Sequence, residues 1–285
     1  MNGDPLYARL NGIRIAYDRT GQGYPLFLLH GFPRNRKVWS KVTPLLESRF
    51  TLIAPDRRGY GDSDRPADPA VYDNPTVAGD VIELARQLGL SEFIAVGHDR
   101  GAPVAQRLAA HNAGTVRAAV VLDASPSGVS YDGPRDTSGR SWYMDFFRQR
   151  GVAEQIIGQN PRLFFSLFLN RNPHLSPVEH EYFLEAFCRP GSVEAVLADY
   201  RASLEVDRVQ WAQEVTNGLR ITVPLLLLWG SRGPSSSAPV LDLWRRIADD
   251  VRGEMVPDSA HYVQEEQPDF VAQRIIRFAD ELGIK

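Results

Sequence analysis

An acidic residue stands at the centre of the short motif Gly97-His98-Asp99-Arg100-Gly101. The motif follows an apolar run that ends at Val96 and precedes a stretch of small residues, which predicts a strand, a sharp turn and a helix. Such a turn raises its central side chain above the end of a sheet, where serine is the usual nucleophile. A carboxylate is already charged at pH 7, so Asp99 can displace a leaving group from a saturated carbon and form an ester. The alternative is that Asp99 only caps the following helix in a surface turn.

Hydrolysis of such an ester needs a general base and an acid that orients it. His261 lies in a loop after the last predicted strand and before the C-terminal helix, which makes it the candidate base. The loop after the penultimate strand, residues 230–237, contains no acidic residue, so Asp123 at the end of the preceding strand is the candidate acid. Asp258, in the histidine loop, is the reserve candidate. The other histidines are assigned no chemistry and are predicted to lie in turns, in the core or on helices: His30, His98, His111, His174 and His180.

Two backbone amides are candidates for stabilising negative charge during ester hydrolysis. The segment His30-Gly31-Phe32-Pro33 directly follows the second predicted strand and places the amide of Phe32 opposite that of Arg100. Together they would form an oxyanion hole for the oxygen of Asp99. The alternative is an ordinary turn, and the glycine-containing turn Asp56-Arg57-Arg58-Gly59-Tyr60-Gly61 is likewise interpreted as structural.

The elements that must position these residues form an alternating pattern of strands and helices. This predicts an α/β fold whose mostly parallel sheet has helices on both faces, with the functional side chains at the carboxyl ends of the strands. The alternation stops after Leu122 and resumes near Val223, and the segment between is predicted to be mostly helical. We therefore expect a core domain at residues 1–124 and 213–285 and a helical cap domain at 125–212. The predicted strands are Ile13 to Tyr17, Pro25 to Leu29, Thr51 to Ala54, Phe93 to Gly97, Ala118 to Leu122, Val223 to Trp229 and Gly253 to Val256.

Two helices within the predicted cap have clear signals. Ser176-Pro177-Val178-Glu179 has the composition of a capping box at a helix start. In the next helix, apolar residues recur at helical spacing and Tyr200 falls on their stripe.

The composition excludes several classes of protein. The chain has 285 residues, of which 43% are hydrophobic, and its formal net charge of −3 includes no basic stripe for nucleic acid. The N-terminal residues lack the pattern of a signal peptide and no apolar run is long enough to span a membrane, so we expect a cytoplasmic protein with a small-molecule substrate. Cys188 is the only cysteine, which excludes an internal disulfide, and it is predicted to be a small buried residue.

The assembled motifs resemble the α/β-hydrolase superfamily over essentially the whole chain, and within it most closely the haloacetate and fluoroacetate dehalogenases. The resemblance rests on residues 97–102, on Leu122-Asp123 at a strand end and on the acid-free loop after Trp229-Gly230. It implies an α/β-hydrolase fold with a helical cap inserted after the sixth strand, and a reaction in which Asp99 displaces halide. It also implies that Asp123 orients His261 and that no metal or organic cofactor takes part.

The same resemblance suggests residues for the substrate and the halide. It implies that Trp142 and Tyr200 of the cap donate hydrogen bonds to the departing halide and that Arg100 grips a substrate carboxylate. The chain departs from the dehalogenase pattern at Pro103, where a second arginine is expected, and at Ser141, where a histidine precedes the tryptophan. The alternative for the two aromatic residues is simple packing within the cap.

Epoxide hydrolases also resemble this chain at Asp99 and His261. That resemblance implies that cap tyrosines protonate the opening ring, with Tyr200 in one position and Tyr143 in the other. An epoxide needs no carboxylate grip, so the proline at position 103 is compatible with this alternative. A catalytically silent binding module is the third interpretation, and a homodimer through the cap surface is compatible with each of them.

Overall fold

The computed structural model describes residues 4–129 and 141–284. In these ranges the chain forms an eight-stranded sheet with the strand order β1-β2-β4-β3-β5-β6-β7-β8. The first pairings, β1 with β2 and β2 with β4, are antiparallel, and all the others are parallel. The strands are β1 Leu6–Leu10, β2 Ile13–Thr20, β3 Tyr24–Leu29, β4 Phe50–Pro55, β5 Phe93–His98, β6 Val116–Leu122, β7 Leu225–Gly230 and β8 Val251–Val256.

The prediction of a mostly parallel α/β sheet is confirmed, with one strand more than expected. The additional strand is β1, which forms a hairpin with β2 at the edge of the sheet. Most side chains of β1 are exposed or half-buried, so its sequence lacks the continuous apolar run by which buried strands are recognised.

Helices cover both faces of the sheet because successive side chains of its buried strands point to opposite sides. In β3, Leu26 and Leu28 pack in one core cluster, whereas Phe27 and Leu29 pack in the other. The first of these faces is covered by α1 Thr43–Leu46, α11 Val263–Glu266 and α12 Pro268–Glu281. The second is covered by α2 Asn74–Gln87, α3 Ala102–His111 and α10 Val240–Arg245.

The remaining α-helices of the described ranges lie between β6 and β7, as predicted, and are called here the helical insertion. It comprises α4 Trp142–Phe147, α5 Val152–Gln159, α6 Pro161–Leu169, α7 Pro177–Phe187, α8 Ser192–Arg201, a π-helix at Ala202–Asp207 and α9 Arg208–Thr216. Two short 3-10 helices, Arg36–Trp39 and Pro69–Tyr72, lie earlier in the chain. The predicted cap domain at 125–212 contains residues 130–140, which lie outside the described ranges, and its boundaries stay a prediction.

Capping and packing explain where the insertion sits. The predicted capping box is present at α7, where the Ser176 hydroxyl accepts from the Glu179 amide at 3.2 Å and the Glu179 carboxylate accepts from the Ser176 amide at 2.8 Å. Aromatic side chains of the insertion, Phe147 and Phe168 among them, form a buried cluster with Phe32 of the sheet domain. The insertion is therefore held over the loop that follows β3.

Two further features complete the description of the fold. Cys188 directly follows Phe187, the last residue of α7, and is exposed. The prediction that it is buried was therefore wrong, because the helix stops before this residue and leaves it on the solvent side. None of the helices in the described ranges has both the length and the apolar character needed to cross a bilayer.

Candidate active site

Asp99 occupies a strained turn at the carboxyl end of β5. A 3-10 turn at Asp99–Gly101 joins β5 to α3, and Asp99 has a φ of +50°, a left-handed conformation that costs a non-glycine residue about 1–3 kcal/mol. The glycines around it permit the close packing of the turn. A Cβ atom on Gly101 would overlap the carbonyl oxygen of Leu29, and one on Gly97 would overlap that of Gly101. The predicted strand, turn and helix are thus present, with the carboxylate raised at the turn.

The two oxygens of the Asp99 carboxylate have different partners. Oδ1 accepts a hydrogen bond from the backbone amide of Phe32 at 2.7 Å, and Oδ2 lies 3.3 Å from Nε2 of His261. Burial opposes the charge of Asp99, but the hydrogen bond and charge of His261, together with the Phe32 amide, outweigh it and lower the pKa of the carboxyl below its usual range. Asp99 is therefore an anion with one oxygen anchored and the other facing the imidazole.

His261 bridges the two carboxylates that the sequence pattern singled out. Its Nδ1 lies 2.6 Å from Oδ2 of Asp123, a residue at the end of β6 that has a φ of +47° and a fully buried side chain. The other oxygen of Asp123 accepts from the amide of Gly230 at 3.4 Å. Burial opposes a charge on His261, but the hydrogen bonds to Asp123 and Asp99 raise its pKa to about 10. In the free protein the imidazole is thus protonated at neutral pH.

The backbone on both sides of His261 is also held in place. Glu266 accepts from the amide of Ala260 at 2.7 Å and from the amide of Tyr262 at 3.0 Å. Nε2 of His98 lies 2.9 Å from the carbonyl oxygen of His261. Because burial lowers the pKa of His98 to about 3, its ring is neutral and donates this hydrogen bond. The sequence pattern did not single out Glu266, although its place five residues after the histidine was visible.

Two tyrosines of the helical insertion pack against each other beside this group. Tyr143 of α4 and Tyr200 of α8 have ring centroids 5.6 Å apart in an edge-to-face arrangement. Burial and the charge of Asp99 raise the pKa of Tyr143. Burial, the neighbouring Tyr143 and Asp99 raise the pKa of Tyr200 as well. Both hydroxyls therefore stay protonated and can donate a proton to an oxygen nearby.

The remaining residues suggested for the substrate lie in different surroundings. Trp142 is 45% exposed, and its ring packs on Phe146 and Phe168. Ser141, just before it, is exposed at the start of α4. Tyr200 is thus buried and Tyr143 half-buried, whereas Trp142 packs from the outer side of this aromatic layer.

Arg100 is engaged by a residue that sequence reasoning missed. Its Nη2 and Nε atoms donate to the two carboxylate oxygens of Asp199 at 2.6 and 3.2 Å, and its Nη1 donates to the Ser203 hydroxyl at 2.6 Å. Arg57, which was interpreted as part of a structural turn, donates to the same carboxylate at 3.0 Å. The sequence contained one signal for this ion pair. Asp199 lies three residues after Val196, on the apolar face of its helix, where an acidic side chain needs a buried partner.

The comparisons with known proteins agree with this architecture. The family model described as alpha/beta hydrolase fold matches residues 24–268. The chain belongs to the alpha/beta hydrolase fold family. This alpha/beta hydrolase is 31% identical over 280 residues to the soluble epoxide hydrolase of Corynebacterium sp. (strain C12), with 95% of each chain covered.

Two further relatives represent the two activities that the motifs resemble. The chain is 31% identical over 268 residues to the fluoroacetate dehalogenase of Burkholderia sp, covering 90% of this chain and 87% of that one. The solved structure of the epoxide hydrolase CorEH without ligand superposes with a TM-score of 0.87 at 30% identity, covering 98% of this chain and 99% of that one. This alpha/beta hydrolase therefore has both epoxide hydrolases and a dehalogenase among its relatives.

Proposed function

We propose that this alpha/beta hydrolase is an epoxide hydrolase that converts a small epoxide without a carboxylate into a diol. The observation that carries the proposal is a pair of tyrosines of the helical insertion, the half-buried Tyr143 and the buried Tyr200, which pack edge to face beside an ionised Asp99. An epoxide opens readily only if its ring oxygen is protonated or hydrogen-bonded as the carbon is attacked, and two protonated phenols supply that.

The proposed first step forms an alkyl-enzyme ester. Oδ2 of Asp99 attacks a ring carbon, the bond between that carbon and the ring oxygen breaks, and the oxygen takes the proton of Tyr200 while Tyr143 donates a hydrogen bond. Oδ1, which accepts from the Phe32 amide at 2.7 Å, becomes the carbonyl oxygen of the ester. The attack needs no base because the carboxylate is already ionised.

The proposed second step hydrolyses the ester. His261 first loses its proton, which replaces the one that Tyr200 gave up, because Asp99 as an ester no longer supports the charge on the imidazole. The neutral imidazole then takes a proton from water, and the resulting hydroxide adds to the carbonyl carbon of Asp99. The amides of Phe32 and Arg100 stabilise the negative oxygen, as in other oxyanion holes. The diol then leaves, Asp99 is again a carboxylate, and His261 keeps the proton taken from water, which restores the protonation state of the free protein. Asp123 holds the ring of His261 and stabilises its charged form.

A haloacetate dehalogenase is the second candidate, and the identity to the Burkholderia fluoroacetate dehalogenase favours it. In that reaction Asp99 would displace halide, Arg100 would bind the carboxylate, and Trp142 with Tyr200 would receive the halide. The ion pair of Arg100 with Asp199 and the exposure of Trp142 weigh against it, because both groups would have to leave their present partners or surroundings. A cytoplasmic location and a homodimer stay predictions.

A trapping experiment separates these candidates. The His261→Gln variant retains the nucleophile and lacks the base, so styrene oxide is expected to add one substrate mass to the peptide that contains Asp99. Asp99→Ala in the same background is the control that must show no adduct, and His111→Gln, a half-exposed histidine elsewhere, must turn over normally.

The wild-type protein is assayed in parallel with styrene oxide, chloroacetate and fluoroacetate. Diol formation without halide release supports the proposal. An adduct and halide release only with the haloacids would show the dehalogenase instead. No adduct with any of the three would contradict the role of Asp99 and favour a binding module.

A further inference from the structure

The carboxylate of Asp199 is surrounded by donors that do not belong to its own helix. Arg100 binds it through two nitrogens, Arg57 donates to Oδ2 at 3.0 Å, and the hydroxyl of Tyr60 donates to the same oxygen at 2.6 Å. The side chain of Asp199 is only 2% exposed. A planar guanidinium that offers two parallel donors, with a second cation and a phenol beside it, is an arrangement suited to any carboxylate.

The charges of this cluster are not balanced. Two buried guanidinium groups face one carboxylate, and Nε of Arg57 has no hydrogen-bond partner among the described residues. Burial opposes the charge of Asp199, but Arg100 and Arg57 outweigh it and lower the pKa of the carboxyl below its usual range. Removal of the Asp199 side chain would leave a buried, strongly cationic cavity of the size of one carboxylate.

This position adjoins the proposed site. Arg100 directly follows Asp99 in the chain, and Asp199 directly precedes Tyr200 on α8. The guanidinium carbon of Arg100 lies 5.2 Å from the ring centroid of Tyr200. The ion pair therefore links the turn that carries the nucleophile to the helix that carries the proton donor.

We propose that Asp199 permanently occupies a carboxylate-binding position formed by Arg57, Arg100 and Tyr60, and thereby fixes Tyr200 and excludes substrates that carry a carboxylate. The substrate class in this inference rests on the proposed epoxide hydrolase function. Asp199 is a positioning and selectivity residue, since it acts through Tyr200 and Arg100 and does not touch the reacting atoms. A free carboxylate would have to compete with a partner that is covalently part of the chain.

The binding position is tested without any turnover. In Asp199→Ala the melting temperature is expected to rise with added formate in a saturable manner, and the wild-type protein is expected to show no such rise. The control is Asp80→Ala, which removes the carboxylate from another buried bidentate pair, Arg58 with Asp80. Formate can also fill the cavity in Asp80→Ala. In that variant, however, neither the substitution nor the bound formate is expected to change the substrate preference.

Selectivity is tested with two epoxides of similar size, the anionic glycidate and the neutral glycidamide. The wild-type protein is expected to prefer glycidamide. In Asp199→Ala the ratio of kcat/KM values is expected to move toward glycidate by about tenfold or more, as expected for a new charge-assisted contact. The kcat for glycidamide is expected to fall because Tyr200 is less well held, and formate is expected to restore it.

Asp199→Ser decides the question if the alanine variant does not fold, because its short side chain removes the charge and vacates most of the position while its hydroxyl can still accept one hydrogen bond. Its inhibition by propionate is expected to strengthen about tenfold relative to the wild type. The inference is overturned if formate leaves the melting temperature of folded Asp199→Ala unchanged, or if neither variant gains affinity for anions. A wild-type protein that turns over no epoxide refutes the proposed function instead, and the formate titration then still tests the binding position.

Discussion

Replacing Asp207 by asparagine is expected to make the protein more stable, by an amount that grows with pH. Asp207 ends the π-helix of the helical insertion and is 1% exposed. Its Oδ1 accepts from the amide of Asn74 at 2.9 Å, whereas Oδ2 has no hydrogen-bond partner within the described ranges. Burial raises the pKa of Asp207 to about 7. The negative charges of Asp73 and Asp199 also raise this pKa, whereas the Asn74 amide and the charge of Arg100 lower it. The folded protein therefore has to hold a poorly compensated charge above neutral pH.

The magnitude follows from the difference between the folded and the unfolded pKa. The ordinary value is 3.8, so between that pH and about 7 the folded state binds the proton and the unfolded state does not. Stability falls with rising pH throughout this window, at about 1.4 kcal/mol for each pH unit. From about pH 5 to about pH 8 the loss is about 3 kcal/mol, most of it below pH 7, and it is nearly constant above about pH 8. Asparagine at this position has no charge to bury and retains an acceptor for the Asn74 amide, so the variant avoids the loss.

The assay is urea unfolding of both proteins between about pH 5 and about pH 8. The free energy of unfolding of Asp207→Asn minus that of the wild type should increase by about 3 kcal/mol over this range. Taking the difference removes the contributions of His261, His30 and His98, whose pKa values are also shifted in both proteins. Asp68→Asn, an exposed carboxylate that caps a short turn, is the matched control. A difference that is the same at both ends of the range would refute the reasoning.

Two further predictions concern His261. In Glu266→Gln the side chain can accept a hydrogen bond from only one of the two backbone amides that flank the histidine, so kcat should fall about tenfold while KM and the melting temperature change little. Steady-state kinetics and a melting curve measure these quantities. An unchanged kcat would show that Glu266 has no positioning role. The second prediction concerns the alkyl-enzyme, in which Asp99 is an ester and no longer supports the charge on His261. The pKa of His261 should therefore be lower there than its value of about 10 in the free protein. The rate of ester hydrolysis should rise with pH around this lower pKa. Single-turnover hydrolysis from about pH 5 to about pH 10 measures it, and a midpoint at or above 10 would contradict this coupling.

The arrangement of the sheet was predictable from the sequence because it depends on local patterns. The apolar runs, the motif around Asp99 and the place of Asp123 at a strand end are features of short segments, and parallel strands bring their carboxyl ends to one edge. His261 could be placed at that edge by the same logic. The exposed strand β1, by contrast, has no apolar run to reveal it, and the solvent position of Cys188 depends on where α7 ends.

The surroundings of the insertion were less accessible to sequence reasoning. Whether Tyr143 or Trp142 faces inward depends on the rotation of α4 against α8, and consecutive helical residues differ by 100° in direction. The partner of Arg100 is 99 residues away in sequence, so no local pattern indicates the ion pair. The sequence shows that Arg100 directly follows Asp99. It could not show that the charge of Arg100 is paired with Asp199.

The charge relations around His261 provide a reason for the order of the two proposed steps. In the free protein the imidazolium lies between Asp99 and Asp123, with its pKa raised to about 10, and the ion pair keeps Asp99 ionised for attack. A protonated His261 cannot accept a proton from water, so the free protein holds its nucleophile ready and its base inactive. Ester formation would remove the charge of Asp99, which leaves Asp123 as the one anionic partner of His261 among the residues described and weakens the hold on the proton. In the proposed mechanism, formation of the intermediate thus produces the base that the intermediate needs. The carboxylate of Asp99 would then serve both as nucleophile and as the group that controls when His261 becomes neutral.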